Sequence, residues 1–358
     1  MRPFTHGTLS DCGLVPMARK KTKTPTIKDV AAAAGVSTST VGRVLGGYGY
    51  ASPETRRRVM KAAKQLGYRP NAIARSLKTK QSRIIGFFLS SITNLFHARI
   101  AEGLQEVASS YGYNVVICCT GLNANRASAF GQMLLESQAA GVVFSVPGDE
   151  AVIRVAQSLL DNDIPVVTCH GSIRIPSQDR IVCDDFQGGY LAAKHLVELG
   201  HQRIGIIGVK DSGTSARRIQ GAASFLKEHG IVPSRVSIVE VVSYSTESGY
   251  TGVKLLSARD EKPSAIIAAN DLMALGVLEC LEEMELRVPE DVSVIGFDDS
   301  FAEMTRPRLT TVALPMYEAG QVAAQLLLER IEGKDVGEER VITLPERLVV
   351  RESTTVYR

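Results

Sequence analysis

The chain has 358 residues, 44% of them apolar, with no tryptophan, and so is expected to fold as two or three compact units. No run approaches the ~18 consecutive apolar residues of a membrane helix, and the opening MRPFTHGTLSDCGLVP lacks the apolar centre of a secretion signal, so a cytoplasmic protein without membrane contact is expected. The net charge of +3 is unevenly spread: residues 17–83 hold 16 Lys and Arg against Asp29 and Glu54, while residues 84–358 hold 24 basic and 35 acidic residues, a net −11. A basic head on an acidic body suits a polyanion-binding module, because neutralising phosphates supplies most non-specific nucleic-acid affinity.

Met17-Ala18-Arg19-Lys20-Lys21 reads like a natural start, so residues 1–16 are expected to reflect an upstream start assignment or disorder, within a tail covering 1–25. A head follows over 26–70. Thr26 caps a first helix with Asp29 at the capping-box position, and Ile27, Val30, Ala31 and Ala34 form its apolar stripe. Gly35 ends it, as a residue free to take positive φ. Ser37 then caps a second helix with Val41, Val44 and Leu45 inward and Thr38, Ser39, Thr40 and Arg43 outward. Two such helices joined by a Gly-containing turn make a helix-turn-helix, whose second helix enters the major groove by its N-terminal residues. Ser52-Pro53-Glu54 starts a third helix with an apolar stripe at Val59, Ala62, Ala63 and Leu66, stopped at Gly67. A core of roughly 45 residues is small enough to depend on DNA or a partner for full order.

From residue 83 the pattern turns to short apolar runs (IIGFFL, NVVICCT, GVVFSV, PVVTCH, RIVCDD) separated by amphipathic helices, which indicates βαβ units and a parallel sheet with helices on both faces. A second series (GYLAAKHLVELG, RIGIIGV, RVSIVEV, AIIAAN, VSVIGFDD) predicts a second lobe of the same α/β class. Of the six cysteines, Cys12, Cys118, Cys119, Cys169, Cys183 and Cys280, none forms a CxxC pair or stands at zinc spacing from a histidine. Neither a metal site nor a disulfide is expected. There is no GxGxxG after the first strand of either lobe, no GxxxxGK[ST], no GxSxG and no HExxH, so no catalytic residue and no cofactor is assigned.

TIKDVAAAAGVSTSTVGRVL, SPETRRRVMKAAKQLGYRPNAIARSLKTKQSRIIG, GHQRIGIIG, ANDLMALGVL, VPEDVSVIGFDD and PRLTTV, in that order, resemble the lactose-repressor (LacI/GalR) family over about 330 of the 358 residues. The resemblance implies an all-α helix-turn-helix head (26–70), a hinge helix (71–82), and a two-lobed body (83–358) like a periplasmic binding protein. Lobe 1 is expected over about 83–184 and 314–342, and lobe 2 over about 185–313 and 343–358. It also implies that Thr38, Ser39, Thr40, Arg43 and Tyr50 face double-stranded DNA. Arg43 is placed for a bidentate guanine contact, the alternative being a phosphate. In the hinge, Asn71 and Arg75 flank the duplex and Leu77 matches the family's minor-groove wedge, although a linker leucine can equally serve in packing. Gly42 and Gly46-Gly47 depart from the family's usual Ser and Asn-led turn, and a glycine inside a helix costs roughly 1 kcal/mol against alanine.

For the body the resemblance implies a ligand cleft lined by Phe96, His97, His170, Arg218, Tyr244, Asn270 and Asp298. Each has a plain structural alternative: Asn270 as a helix cap, Asp298 in a turn, Tyr244 as a surface aromatic. Arg, Asp and Asn with one aromatic face suit a sugar or sugar derivative. His97 and His170 replace the family's more usual residues, and their extra nitrogens could suit a sugar acid or a phosphorylated sugar. The implied function is a DNA-binding transcriptional regulator, a repressor, that reads a palindromic operator as a homodimer joined mostly through its N-terminal lobes. A small-molecule effector in the cleft shifts the lobes and the hinge. The alternatives are a ligand-independent regulator whose body only dimerises, and a solute-binding protein, which would lack the basic head.

Overall fold

The computed structural model describes residues 25–46, 49–68, 82–121, 123–170, 179–259, 261–334 and 337–357. The tail expected over 1–25 lies outside these apart from Pro25. The expected hinge helix lies outside them apart from Ser82, and takes Asn71, Arg75 and Leu77 with it; Gly47 lies outside them as well. Two compact units divide at the Thr79–Lys80 bond.

The N-terminal unit contains α1 (Ile27–Ala34), α2 (Thr38–Gly46) and α3 (Pro53–Leu66). Their ends follow from local chemistry. The Asp29 carboxylate accepts the Thr26 N–H at 2.7 Å, Ser37 Oγ accepts the Thr40 N–H at 3.2 Å, and Ser52 Oγ accepts the Thr55 N–H at 3.2 Å ahead of Pro53. Gly35 takes φ +64°, which lets the Val36 N–H return to the Ala31 carbonyl at 3.1 Å. The core is Val30, Ala31, Ala34, Val41, Val44, Val59, Ala62 and Ala63, with Leu45 half-buried against it. Each buried valine contributes about 1.5–3 kcal/mol, so four valines carry most of this unit's burial energy.

The C-terminal unit is built on two six-stranded sheets. The first contains β1 (Ile84–Leu89), β2 (Asn114–Cys119), β3 (Gly141–Ser145), β4 (Val166–Cys169), β5 (Asp179–Cys183) and β11 (Val341–Leu344), in the order β2-β1-β3-β4-β5-β11, all parallel. The second contains β6 (Ile204–Val209), β7 (Val236–Val241), β8 (Ala265–Ala268), β9 (Ser293–Asp298), β10 (Thr310–Ala313) and β12 (Arg347–Val349), in the order β7-β6-β8-β9-β10-β12, with β12 alone antiparallel. Strands β3, β4, β6, β8, β9 and β10 are buried at every residue, as parallel strands covered on both faces must be.

The covering helices are α4 (Leu95–Ser110), α5 (Ala124–Glu136), α6 (Glu150–Leu160), α7 (Asp185–Glu198), α8 (Gly213–Glu228), α9 (Thr246–Ser257), α10 (Asp271–Glu283) and α11 (Met316–Ile331). The chain passes between the sheets three times: at Asp184 ahead of α7, at Leu314-Pro315 ahead of α11, and at Pro345-Glu346 between β11 and β12. The last passage comes after residue 344 rather than 342, because β11 keeps pairing with β5 through Leu344. Where α4 and α11 cross, Gly103 lies against the Tyr317 carbonyl and Gly320 against that of Ile100; a Cβ at either position would collide with backbone. One hydrophobic cluster joins Phe87, Ile100 and Val143 of the first sheet's layer, Ile204, Ile267 and Phe297 of the second, and Leu314 and Met316 at the passage between them.

Candidate functional site

In the head, α2 exposes Thr38, Ser39 and Arg43 and half-buries Thr40, because Val41 and Val44 turn inward. The hydroxyls at its start are mutually bonded: Ser37 Oγ lies 2.7 Å from Ser39 Oγ and 2.9 Å from Thr40 Oγ1. Arg43 Nη2 reaches back to within 3.4 Å of Thr40 Oγ1, so the guanidinium is drawn toward the helix start. Tyr50 is 85% exposed. Arg56, Arg57, Arg58, Lys61 and Lys64 cover the outer face of α3. A row of exposed cations beside an exposed helix start with hydroxyl and guanidinium donors can bind a phosphate backbone and present donors to base edges.

In the body, the expected ligand residues stand at or just beyond the carboxyl ends of strands, or at the start of the helix that follows. His170 follows β4, Tyr244 follows β7, Asn270 follows β8 and Asp298 ends β9. Ligands of open α/β sheets bind at that edge. Phe96, His97 and His170 are gathered on the first lobe, with ring centroids 5.2 Å (Phe96–His97) and 5.0 Å (Phe96–His170) apart. His97 is buried and its Nε2 lies 3.1 Å from the Ser145 carbonyl, which can only accept, so the proton sits on Nε2. Burial pushes His97 down to about 4, and His170 as well, although the edge of His170 reaches solvent. Both rings are therefore neutral at pH 7.

Arg218 is the centre of the second lobe's set. Its side chain is 5% exposed; Nε donates to Asp185 Oδ1 at 2.9 Å, and Nη1 donates to the Ala269 carbonyl at 2.6 Å and lies 3.8 Å from Asp298 Oδ1. The guanidinium lies 4.4 Å above the Phe297 ring, which fixes its plane. Nη2 is buried and has no partner among the described residues. Asp298 has φ 99° and Asp299 φ 57°, conformations unusual for residues with side chains. They are held by Asp271, whose carboxylate accepts the Ser300 N–H at 2.8 Å and the Phe301 N–H at 3.2 Å. Burial raises Asp298 well above the ordinary carboxylate range, against the pull of Arg218. Tyr244 is half-buried and its hydroxyl bonds Ser212 Oγ at 2.7 Å. Asn270 caps α10, its Oδ1 accepting the Met273 N–H at 2.9 Å, which leaves its amide nitrogen and one oxygen lone pair for another partner. A cavity of about 300 Å³ opens between the lobes, lined among others by Phe96, Asp298, Ser300, Leu314, Met316 and Arg347.

Residues 26–71 match the bacterial regulatory proteins of the lacI family, and residues 193–354 match a periplasmic binding protein-like domain. Catabolite control protein A of Priestia megaterium is 34% identical over 333 residues, covering 92% of this chain and 99% of that protein. The HTH-type transcriptional repressor PurR of Vibrio vulnificus is 34% identical over 332 residues, covering 92% and 98%. The chain belongs to the lacI family of bacterial regulatory proteins. Among solved structures, the lac repressor dimer bound to operator and the anti-inducer ONPF superposes with a TM-score of 0.79 at 30% identity, covering 93% of this chain and all of that one. The transcriptional regulator CelR in complex with cellobiose gives 0.67 at 31% identity, covering 92% and 99%. A LacI family regulator of Enterococcus faecium with bound ribose gives 0.69 at 27% identity, covering 77% and 100%. This LacI-family chain is thus a DNA-binding transcriptional regulator with a helix-turn-helix head and a two-lobed α/β body.

Four residues at or behind the cavity in this LacI-family regulator went unassigned in the sequence: Met316 lines it, and Asp185, Asp271 and Glu346 lie behind it against Arg218 or the Asp298 turn. Asp185 sits in a Cys-Asp-Asp-Phe run that reads equally well as a plain helix cap. Asp271 hides behind Asn270, Met316 reads as an ordinary core methionine, and nothing local marks Glu346. Only pairing with Arg218 distinguishes Asp185, and Arg218 lies 33 residues away.

Proposed function

We propose that this regulator is a repressor that binds a palindromic operator as a homodimer in the cytoplasm, and that a small carbohydrate-like effector in the cleft controls its operator affinity. The observation that carries this reading is Arg218. It is buried, held in plane by Asp185, Ala269 and Phe297, and keeps Nη2 without a partner among the described residues at the ligand-binding edge of the sheet. A fork so fixed is pre-organised to grip hydroxyl oxygens. Similar proteins solved with cellobiose, with ribose and with operator as a dimer support the same assignment. Phe96, His97, His170, Tyr244 and Asp298 complete the effector set, while Thr38, Ser39, Thr40, Arg43 and Tyr50 contact operator. The effector prefers one arrangement of the lobes, and by linkage that preference changes DNA affinity by the same factor.

Selection from a genomic fragment library, followed by sequencing of the bound DNA, tests the first half. A shared inverted repeat is expected, whereas unrelated fragments whose binding collapses as salt rises would refute specific reading. Repeating the binding with ribose, cellobiose and other sugars tests the second half, because at least one of them should change affinity for the recovered repeat.

A further inference from the structure

We infer that the cleft takes a polyhydroxylated ligand carrying no anionic group, and that Glu346 sets this selectivity. The inference rests on the effector-binding reading and names the ligand class. Glu346 lies on the passage between β11 and β12, is 8% exposed, and neither of its carboxylate oxygens has a partner among the described residues. Gly188 on α7 makes room for it: a Cβ there would collide with the Glu346 carboxylate and crowd the Phe297 ring at 3.2 Å. That ring is the one beneath the Arg218 guanidinium, so Glu346 and Arg218 are buried near the same ring, behind the cavity wall that Pro345 and Arg347 help to line.

Among the described residues, Arg218 is the single cation stacked on this ring, and it faces Asp185 at 2.9 Å and Asp298 at 3.8 Å, with the Glu346 carboxylate also close enough to act on it. Two of its three nitrogens are used by Asp185 and the Ala269 carbonyl. His97 and His170, whose nitrogens could have suited a sugar acid or phosphate, are neutral. Toward the mouth, Arg99 pairs with Glu102 at 3.0 Å and Arg351 with Asp299 at 2.7 Å, while Arg347 is exposed and screened by water. Beside Phe297 a phosphate or carboxylate would therefore find, among the described residues, one free nitrogen, Nη2, and meet Asp185 and Glu346, carboxyl groups that offer only lone pairs when ionised. A hydroxyl is donor and acceptor at once, and can donate to Glu346 while accepting from Nη2. Burial raises the Glu346 carboxyl to about 7. A hydroxyl can bond either protonation state, whereas an anion is tolerated only by the protonated one.

The test is titration calorimetry on the full chain at pH 7.5. The probes are D-ribose, D-glucose, cellobiose and D-glucosamine against ribose 5-phosphate, glucose 6-phosphate and D-gluconate. At least one of the first group should bind, with its phosphorylated or oxidised counterpart at least tenfold weaker, and Glu346→Gln should cut that ratio at least threefold. An anionic sugar binding as tightly as its uncharged counterpart overturns the inference while leaving the effector reading intact, and the wild-type ratio decides this without any variant. An unchanged ratio in a folded Glu346→Gln protein overturns the role of Glu346. Binding of no probe from either class, with the inverted repeat still recovered from the library, overturns the effector reading and this inference with it.

Discussion

The hydroxyl of Thr311, buried in β10, donates to Asp271 at the start of α10 across 2.6 Å, while the backbone of Ser300 and Phe301 donates to the same carboxylate. One buried side chain thus ties β10 to the turn that follows Asp298, which sits in its positive-φ conformation at the end of β9. Asp271→Ala leaves the Ser300 and Phe301 N–H groups and the Thr311 hydroxyl without their acceptor. A loss of about 2 kcal/mol is expected, since an unsatisfied buried donor costs ~1–3 kcal/mol. The melting temperature should fall by roughly 4–8 °C. Effector affinity should fall too, because Asp298 loses its support. A melting curve and a sugar titration check both, and unchanged effector affinity in the destabilised protein would separate Asp271 from the site.

Asp179 is fully buried and takes two guanidiniums, Arg330 Nη2 and Arg340 Nη2, each at 2.7 Å. Burial alone would raise its carboxyl, but the bonds from Arg330 and Arg340 outweigh that and hold it at about 2, below the ordinary 3.8. The unfolded chain therefore takes up this proton at higher pH than the folded one. The stabilisation, about 2 kcal/mol, is fully present above pH ~4 and lost as pH falls toward 2. Asp179→Asn should lower the urea midpoint at pH 6, and the gap from wild type should shrink between pH 4 and 3. A gap constant over that range would show that Asp179 does not titrate this way.

Arg218→Lys keeps the charge and removes the fork. The ammonium cannot bond Asp185, Ala269 and a ligand in one plane. Effector affinity should drop at least tenfold, about 1.4 kcal/mol by the usual conversion, with affinity for effector-free operator within twofold of wild type. Calorimetry with the effector and a gel-shift titration without it measure the two numbers. A matching loss in operator affinity would mean that Arg218 holds up the fold rather than the ligand.

Arg43→Ala distinguishes two roles of one side chain. If its guanidinium reads a base, the variant should lose about 1–3 kcal/mol on operator and relax specificity at one position of each half-site. If it holds only a phosphate, the loss should be even across sequences and the salt slope should fall by about one. Competition binding with single-base operator variants at two salt concentrations separates the cases, and the first outcome is expected.

What the sequence determined by itself is what depends on neighbours along the chain. Thr26 with Asp29, Ser52 before Pro53, and Gly35 between two apolar stripes are capping and turn signals, complete within four or five residues, and the helices begin and end where they say. Unbroken apolar runs such as IIGFFL and RIGIIGV sufficed for parallel strands, because burial on both faces leaves no alternation to confuse. The basic head and acidic body were likewise legible as counts. What only the tertiary structure decided is pairing at a distance. Arg218 meets Asp185 across 33 residues, Asp271 meets Thr311 across 40, and Glu346 comes near Arg218 from a chain passage whose position depends on how far β11 pairs with β5. A carboxylate in a sequence has no address: whether it caps a helix, screens a surface or waits unpartnered beside a guanidinium is settled by burial, and burial exists only after the two sheets have packed.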